Sequence, residues 1–152
     1  MDLTRHIPTL DEAHRWYTEA DAAHDFDHIV RVYHLALRLA KAEGADLEIV
    51  QAAALLHDIK GSTPGSKERE IHHLLSAEVA GDILAGMNWA EVDIHRVQHC
   101  IRAHRFRDES EQPLTIEAKV LYDADKLDVL GAIGVVRTIA YSVLAGEPVY
   151  SK

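Results

Sequence analysis

The stretch Ile49-Val50-Gln51-Ala52-Ala53-Ala54-Leu55-Leu56-His57-Asp58-Ile59 decides how this chain is read. Its apolar residues recur at helical spacing, and the run ends on an imidazole followed at once by a carboxylate. Polar groups at the end of a buried helix are costly unless something binds them. Asp46 can cap this helix, and Gly61-Ser62-Thr63-Pro64-Gly65-Ser66 breaks it with turn residues, so that loop is expected at the mouth of any site formed there.

Working outward, three- and four-residue apolar spacing continues almost everywhere and strand-like alternation is nearly absent. Thr9-Leu10-Asp11-Glu12 reads as a capping box opening a first helix that runs to about Ala22. The next starts near Asp27, carries Ile29, Val32, Tyr33, Ala36, Leu37 and Ala40 on one face, and ends before Gly44. Beyond the Gly61–Ser66 break, helices are expected over about Glu68–Leu84, from an Asn88–Glu91 capping box through His104, over Thr115 to about Asp128, and over Leu130–Ala145. A kink near Gly131 or Gly134 separates the last two, and Arg107 to Pro113 reads as a solvated loop. The fold class is all-α.

Composition bounds the function. The 152 residues suit one domain with a real core, 47% hydrophobic and 27% charged. A net charge of −9 argues against stable nucleic-acid binding through a basic face, while leaving room for a small anionic substrate held by local positive charge. The single Cys100 excludes an internal disulfide and a cysteine-rich zinc site, and fits a reducing compartment. No run approaches the ~18 apolar residues that span a bilayer, and no signal peptide opens the chain, so a cytoplasmic location without a membrane partner is expected.

Eleven histidines are an excess for this length. His28 can point inward with Val32, Leu35 and Ala36; His57 lies three or four residues after Ala53 and Ala54; Asp125 follows Leu121 by one turn. With Asp58 these make two imidazoles and two carboxylates, a mixed nitrogen and oxygen shell suited to Mn²⁺, with Mg²⁺, Co²⁺, Fe²⁺ and Zn²⁺ as alternatives. A metal bound there lowers the pKa of its water and yields a nucleophile near neutral pH.

The order His28, His57-Asp58, Asp125 resembles the signature of the HD-domain metal-dependent phosphohydrolases. The resemblance rests on His24-Asp25-Phe26-Asp27-His28-Ile29, on Ala52 through Ile59, and on Glu117 through Asp128, and continues through Gly131–Val135 and Ala140-Tyr141. It spans about Asp21 to Tyr150 and is nearest to small bacterial HD hydrolases of the nucleoside triphosphate pyrophosphohydrolase type. It implies an HD-domain-like helical bundle with a central metal site, and His28, His57, Asp58 and Asp125 as the metal ligands. It also implies a single HD domain over 1–152, in a family whose members usually continue with further helices beyond the point matched by Lys152.

In two-metal members of that superfamily extra histidines fall between the His-Asp pair and the last aspartate; His72 and His104 occupy similar places here, and phosphate contact or proton transfer is the favoured role for them. His73 rivals His72, because helical rotation decides which faces inward. Lys60, Arg102, Arg105 and Lys126 are candidate cations for a phosphate. The catalytic set is then Asp58, Lys60, His72 and His104, serving in-line attack of a metal-activated water on phosphorus, with Lys60 or a histidine protonating the leaving oxygen. His24 reads as orienting its helix start, His95 and His99 as a helix face, and Asp128 as a packing or capping residue with a supporting role to the ligands as the alternative. The expected function is hydrolysis of nucleotides or related small phosphate esters. A non-catalytic metal- or nucleotide-binding sensor and a di-iron oxygenase are the readings from other classes. Neither the metal count nor the oligomeric state follows from the residues.

Overall fold

A computed structural model describes residues 4–17, 26–60, 65–107 and 110–150. His24, Asp25 and Gly61-Ser62-Thr63-Pro64 lie outside the described residues. Among those described the secondary structure is helical: α1 (Leu10–Trp16), α2 (Phe26–Glu43), α3 (Leu47–Leu56), α4 (Lys67–Gly86), α5 (Glu91–Ala103), α6 (Ile116–Leu127) and α7 (Gly131–Ala145).

The deciding stretch is the central helix. α3 packs against α1, α2, α4, α5 and α6, and every residue from Ala52 to His57 is fully buried. A helix apolar on all sides is stable only when it is enclosed on all sides, and the alanines let its neighbours approach closely. Full burial of Ile49, Val50, Leu55 and Leu56 contributes about 1.5–3 kcal/mol each. The Asp46 carboxylate accepts from the Glu48 and Ile49 N–H groups, and the half-exposed Arg96 pairs with both Asp46 and Asp93, fastening the start of α3 to α5.

Two expectations need correction. The Thr9–Glu12 capping box forms, but α1 stops at Trp16 rather than near Ala22. Tyr17 leaves the helical region at φ −95 and ψ 67, and its hydroxyl donates to the Leu55 carbonyl of α3 at 2.8 Å. Nor do Asn88 and Glu91 form a capping box. Asn88 sits at φ 60 and terminates α4, its N–H donating to Ala85 O, while α5 starts after Ala90 with no side-chain cap. Asparagine tolerates this left-handed conformation better than most residues. Trp89 then turns inward and its indole N–H donates to His6 O at 2.7 Å.

α6 and α7 meet at 80°. Gly131 adopts φ +77 at the bend, and a Cβ on Gly134 would overlap the Val129 carbonyl, so both glycines are required where the kink was expected. α7 leaves Ile133, Val135, Val136, Val143 and Leu144 more than half exposed, and Gly134 is its one buried residue. No single described helix is long and apolar enough to cross a membrane; the bent pair α6 and α7 passes that test only in combination.

Candidate metal centre

The core ends where α2, α3, α4, α5 and α6 bring polar side chains together. His28 comes from the first turn of α2, His57 from the C-cap of α3, Asp58 from the following turn, His72 from α4, His104 from the C-cap of α5 and Asp125 from the last turn of α6. Two of these histidines therefore sit at helix C-termini, whose unpaired carbonyls favour a nearby cation.

Each imidazole is held by its Nδ1. His57, His72 and His104 direct Nδ1 at the carbonyls of Ala54, Arg69 and Ile101, three residues back, at 2.8, 2.9 and 2.5 Å. His28 directs its Nδ1 at the Asp128 carboxylate at 2.7 Å. With Nδ1–H donating in every case, all four Nε2 lone pairs turn inward, which is the tautomer a metal ligand requires.

The inward atoms form two facing groups. His28 Nε2 lies 3.4 Å from Asp125 Oδ1, and His57 Nε2 lies 3.8 Å from the same oxygen. Across from them, His72 Nε2 and His104 Nε2 are 3.3 Å apart. Asp58 stands between, with Oδ2 at 3.8 and 3.9 Å from His28 and His57 and Oδ1 at 3.1 and 3.6 Å from His72 and His104. Each group of three (His28, His57, Asp125 and Asp58, His72, His104) presents ligand atoms within 4.8 Å of one another.

The chemistry of these donors fits a divalent cation. His57 Nε2 and Asp58 Oδ1 are buried without a hydrogen-bond partner, a costly state that a cation relieves. Burial pushes the His57 imidazole down to about 4, against the neighbouring carboxylates, and also lowers His72, so both are neutral ligands at pH 7. For Asp58 burial favours the neutral acid, but the surrounding histidines outweigh it and hold the carboxyl well below its ordinary range. Asp125 is likewise held low, with His28 as its main partner against burial. Neutral imidazoles and ionised carboxylates are the forms that bind metal.

Asp128 supports this centre from behind. Besides meeting His28, its carboxylate accepts from Arg31 Nε and Nη2 at 2.8 and 3.1 Å and from Arg137 Nη1 at 2.7 Å. Arg137 belongs to α7, so the last helix is tied to the back of a ligand histidine.

A cavity of about 520 Å³ opens over His28, Asp58, His72, His104 and Asp125. Arg69, Arg105, Arg107, Lys126 and Arg137 line it, with Val129, Thr138, Tyr141 and Glu147 completing the wall. Of the cations expected from sequence, Arg105 and Lys126 are thus in the cavity; Lys126 Nζ donates to Asp125 Oδ2 at 2.8 Å and to His104 O at 3.0 Å. Lys60 and Arg102 lie outside it. Lys60 is exposed, with its N–H donating to Ser76 Oγ, and Arg102 grips Glu111 at 2.6 and 3.2 Å. His72 faces inward and His73 does not line the cavity; His99 donates to Glu111, and His95 is exposed. Arg69 and Arg137 went unnoticed in the sequence, where Arg107 reads as the start of a solvated loop and Tyr141 only as part of the family resemblance. Two carried a signal: Arg69 precedes His72 by three residues, on one helix face, and Arg107 follows His104 by three.

Buried histidines and aspartates converging at one end of an all-helical core define a candidate metal-centred site of the HD type. The model of the HD domain family matches residues 25–130. The chain belongs to that family. It is 35% identical over 136 residues to the Bacillus subtilis protein YpgQ, covering 88% of this chain and 64% of YpgQ. It thus spans somewhat less than two thirds of that relative's length. The crystal structure of YpgQ in complex with ADP superposes with a TM-score of 0.69 at 33% identity, covering 95% of this chain and 73% of that one. A predicted HD superfamily hydrolase from an uncultured Thermotogales bacterium gives the same TM-score and identity over 87% of this chain and 72% of its own.

Proposed function

We propose that this chain is a metal-dependent phosphohydrolase acting on nucleotides or related small phosphate esters, with nucleoside triphosphate pyrophosphohydrolysis as its specific activity. One observation carries the reading: a buried histidine and aspartate centre with inward Nε2 atoms forms the floor of a cavity walled by five cations, in a chain of net charge −9. A phosphate ester complements this positive wall in a way that an uncharged substrate does not. The ADP bound to YpgQ supports a nucleotide.

His28, His57, Asp58 and Asp125 would hold the metal; Mn²⁺ is the ion we propose, in a mixed shell that also accepts Mg²⁺, Co²⁺, Fe²⁺ or Zn²⁺. When bound, the ion supplies an acidified water and neutralises phosphate charge. The chain's own groups do the rest. Asp128 and three main-chain carbonyls fix the imidazole orientations, and the apolar core beneath excludes bulk water. Arg105 and Lys126 hold substrate oxygens from the cavity wall. In the reaction, a water oxygen bonds to the α-phosphorus as the α–β bridging P–O bond breaks, a water proton passes to solvent or to the leaving oxygen by way of His72 or His104, and a nucleoside monophosphate and pyrophosphate are the products.

A second reading of the centre has its own support. Asp58 presents one oxygen to each group, and His72 and His104 turn their Nε2 atoms to Oδ1, so Asp58, His72 and His104 would hold a second ion. Two ions would move His72 and His104 from phosphate contact to ligation. The cationic wall still favours hydrolysis over oxygen chemistry.

The test is a panel of nucleoside tri-, di- and monophosphates with Mn²⁺, Mg²⁺ and Co²⁺, resolving pyrophosphate from orthophosphate. Pyrophosphate release from triphosphates is expected. A metal-loaded protein that cleaves no phosphate bond across the panel contradicts the proposal.

A further inference from the structure

The cations of the cavity are not equivalent. Arg137 already pairs with Asp128 and Lys126 with Asp125. Elsewhere Arg31, Arg96 and Arg102 each meet a carboxylate at 3.1 Å or less. Arg69, Arg105 and Arg107 break this pattern. Arg69 Nη1 is buried without a hydrogen bond, its nearest carboxylate oxygen being Asp58 Oδ1 at 3.9 Å, an atom already facing His72 and His104. Arg105 Nη1 donates to the Arg69 carbonyl, which also receives His72 Nδ1, so the Arg105 guanidinium is fastened beside Arg69. Arg107 is exposed at the cavity rim, and the charges of Arg69 and Arg107 both bear on Arg105 against its own. Among the described residues no carboxylate forms an ion pair with Arg105 or Arg107; Glu70 acts on Arg105 only at longer range.

Three like charges held together at one side of a cavity repel one another, and in an acidic protein a nearby carboxylate would be easy to supply. The arrangement is stable when a multiply charged anion joins them. A single phosphate over the metal centre could meet Arg69, whose Nη1 is 3.9 Å from Asp58 Oδ1, but would leave Arg107 at the exposed rim unanswered. The arginines approach the centre from the side of His72 and His104, at the first turn of α4 and just past the end of α5. A cavity of about 520 Å³ has room for a chain of phosphates running from the centre to this side.

We infer that Arg69, Arg105 and Arg107 form a subsite for the phosphates beyond the one that is attacked, so that the chain selects di- and triphosphate esters over monophosphates. This rests on the phosphohydrolase reading and names the part of the site that sets its substrate class. Arg105 has a further task, since its bond to the Arg69 carbonyl also braces His72; Arg69 and Arg107 are therefore the informative positions.

The experiment is isothermal titration of the Mn²⁺-loaded chain, at fixed free Mn²⁺, with imidodiphosphate (a non-hydrolysable pair of linked phosphates) and separately with inorganic phosphate. Wild type should bind imidodiphosphate at least about tenfold more tightly than phosphate, an advantage that shrinks with added salt. Arg107→Gln should lower imidodiphosphate affinity by about tenfold while changing phosphate affinity less than about threefold, and Arg69→Gln, closer to Asp58, should lower imidodiphosphate affinity by about tenfold and phosphate affinity by less. Arg107 is exposed, so its variant folds even if Arg69→Gln does not. Equal affinity for the two probes in wild type, or an Arg107→Gln protein that binds imidodiphosphate as wild type does, overturns the inference. The nucleotide panel separates the two claims: turnover of triphosphates with no effect of the arginine variants removes the subsite alone, whereas intact imidodiphosphate selectivity without any turnover removes the hydrolase.

Discussion

Asp128→Asn probes how the centre is held without touching a proposed ligand. The side chain is 8% exposed, and its carboxyl falls from 3.8 to about 2 because His28 and Arg31 outweigh the cost of burial. That fall corresponds to about 2.5 kcal/mol of stability at neutral pH. The group is a depressed carboxyl, so this stability is present above pH 3.8 and is lost as pH falls through about 2. Asparagine keeps an oxygen for His28 Nδ1 but removes the charge that Arg31 and Arg137 share. The variant should lose about 2–3 kcal/mol to denaturant at pH 7, a deficit that shrinks by roughly half near pH 3, where wild type has lost about half of this contribution. Weaker orientation and lower basicity of His28 should also cut Mn²⁺ affinity by about 10- to 100-fold, read by isothermal titration. A variant that binds Mn²⁺ as tightly as wild type, with stability unchanged at pH 7, would refute the argument that Asp128 positions His28.

Other expectations follow from single groups. The His57 imidazole goes from 6.5 to about 4 on folding, so the metal-free protein should lose about 3 kcal/mol as pH falls from 6.5 to 4, because only the unfolded chain takes up that proton. His28, whose partners Asp125 and Asp128 raise it despite burial, opposes this loss in part; denaturation of metal-free protein at pH 7 and pH 4.5 checks the sign, and greater stability at the lower pH would contradict it. Gly134→Ala would drive a Cβ into the Val129 carbonyl and should destabilise the bend by about 1–3 kcal/mol, seen as a lower Tm; an unchanged Tm would mean that α7 is not seated there.

Much of the fold was legible because its central element is unusual. The Ile49–Leu56 run is apolar on all sides, which suits only an enclosed helix, and α2 showed its buried stripe from Ile29 to Ala40. The ends of helices were less legible where tertiary contacts decided them. α1 stops because Tyr17 is recruited by Leu55, and Asn88 closes one helix rather than opening the next, a choice between two local roles that Trp89 settles by docking onto His6. His28, the adjacent pair His57-Asp58, and Asp125 come from three well-separated stretches of chain yet converge, together with His72 and His104, and the order of motifs already pointed to such a set. The supporting partners were harder to see. The Asp128 bond to His28 spans 100 residues, and nothing local distinguishes a carboxylate that orients an imidazole from one that caps α6. Arg69 went unnoticed, and Arg107 read as the start of a solvated loop, until the cavity brought them together, whereas Lys60, two residues from Asp58, lies outside it because the chain turns after His57.

The most direct test of the central claim is a Mn²⁺ titration of chelator-treated protein, following bound metal and phosphate-bond cleavage of a nucleoside triphosphate in the same samples. Cleavage should be absent without metal and rise with occupancy. In Asp58→Asn, with helicity retained, both metal uptake at matched Mn²⁺ and cleavage should collapse. Cleavage by the metal-free protein, or an Asp58→Asn variant that turns over as wild type does, would contradict the assignment of the His28, His57, Asp58 and Asp125 centre.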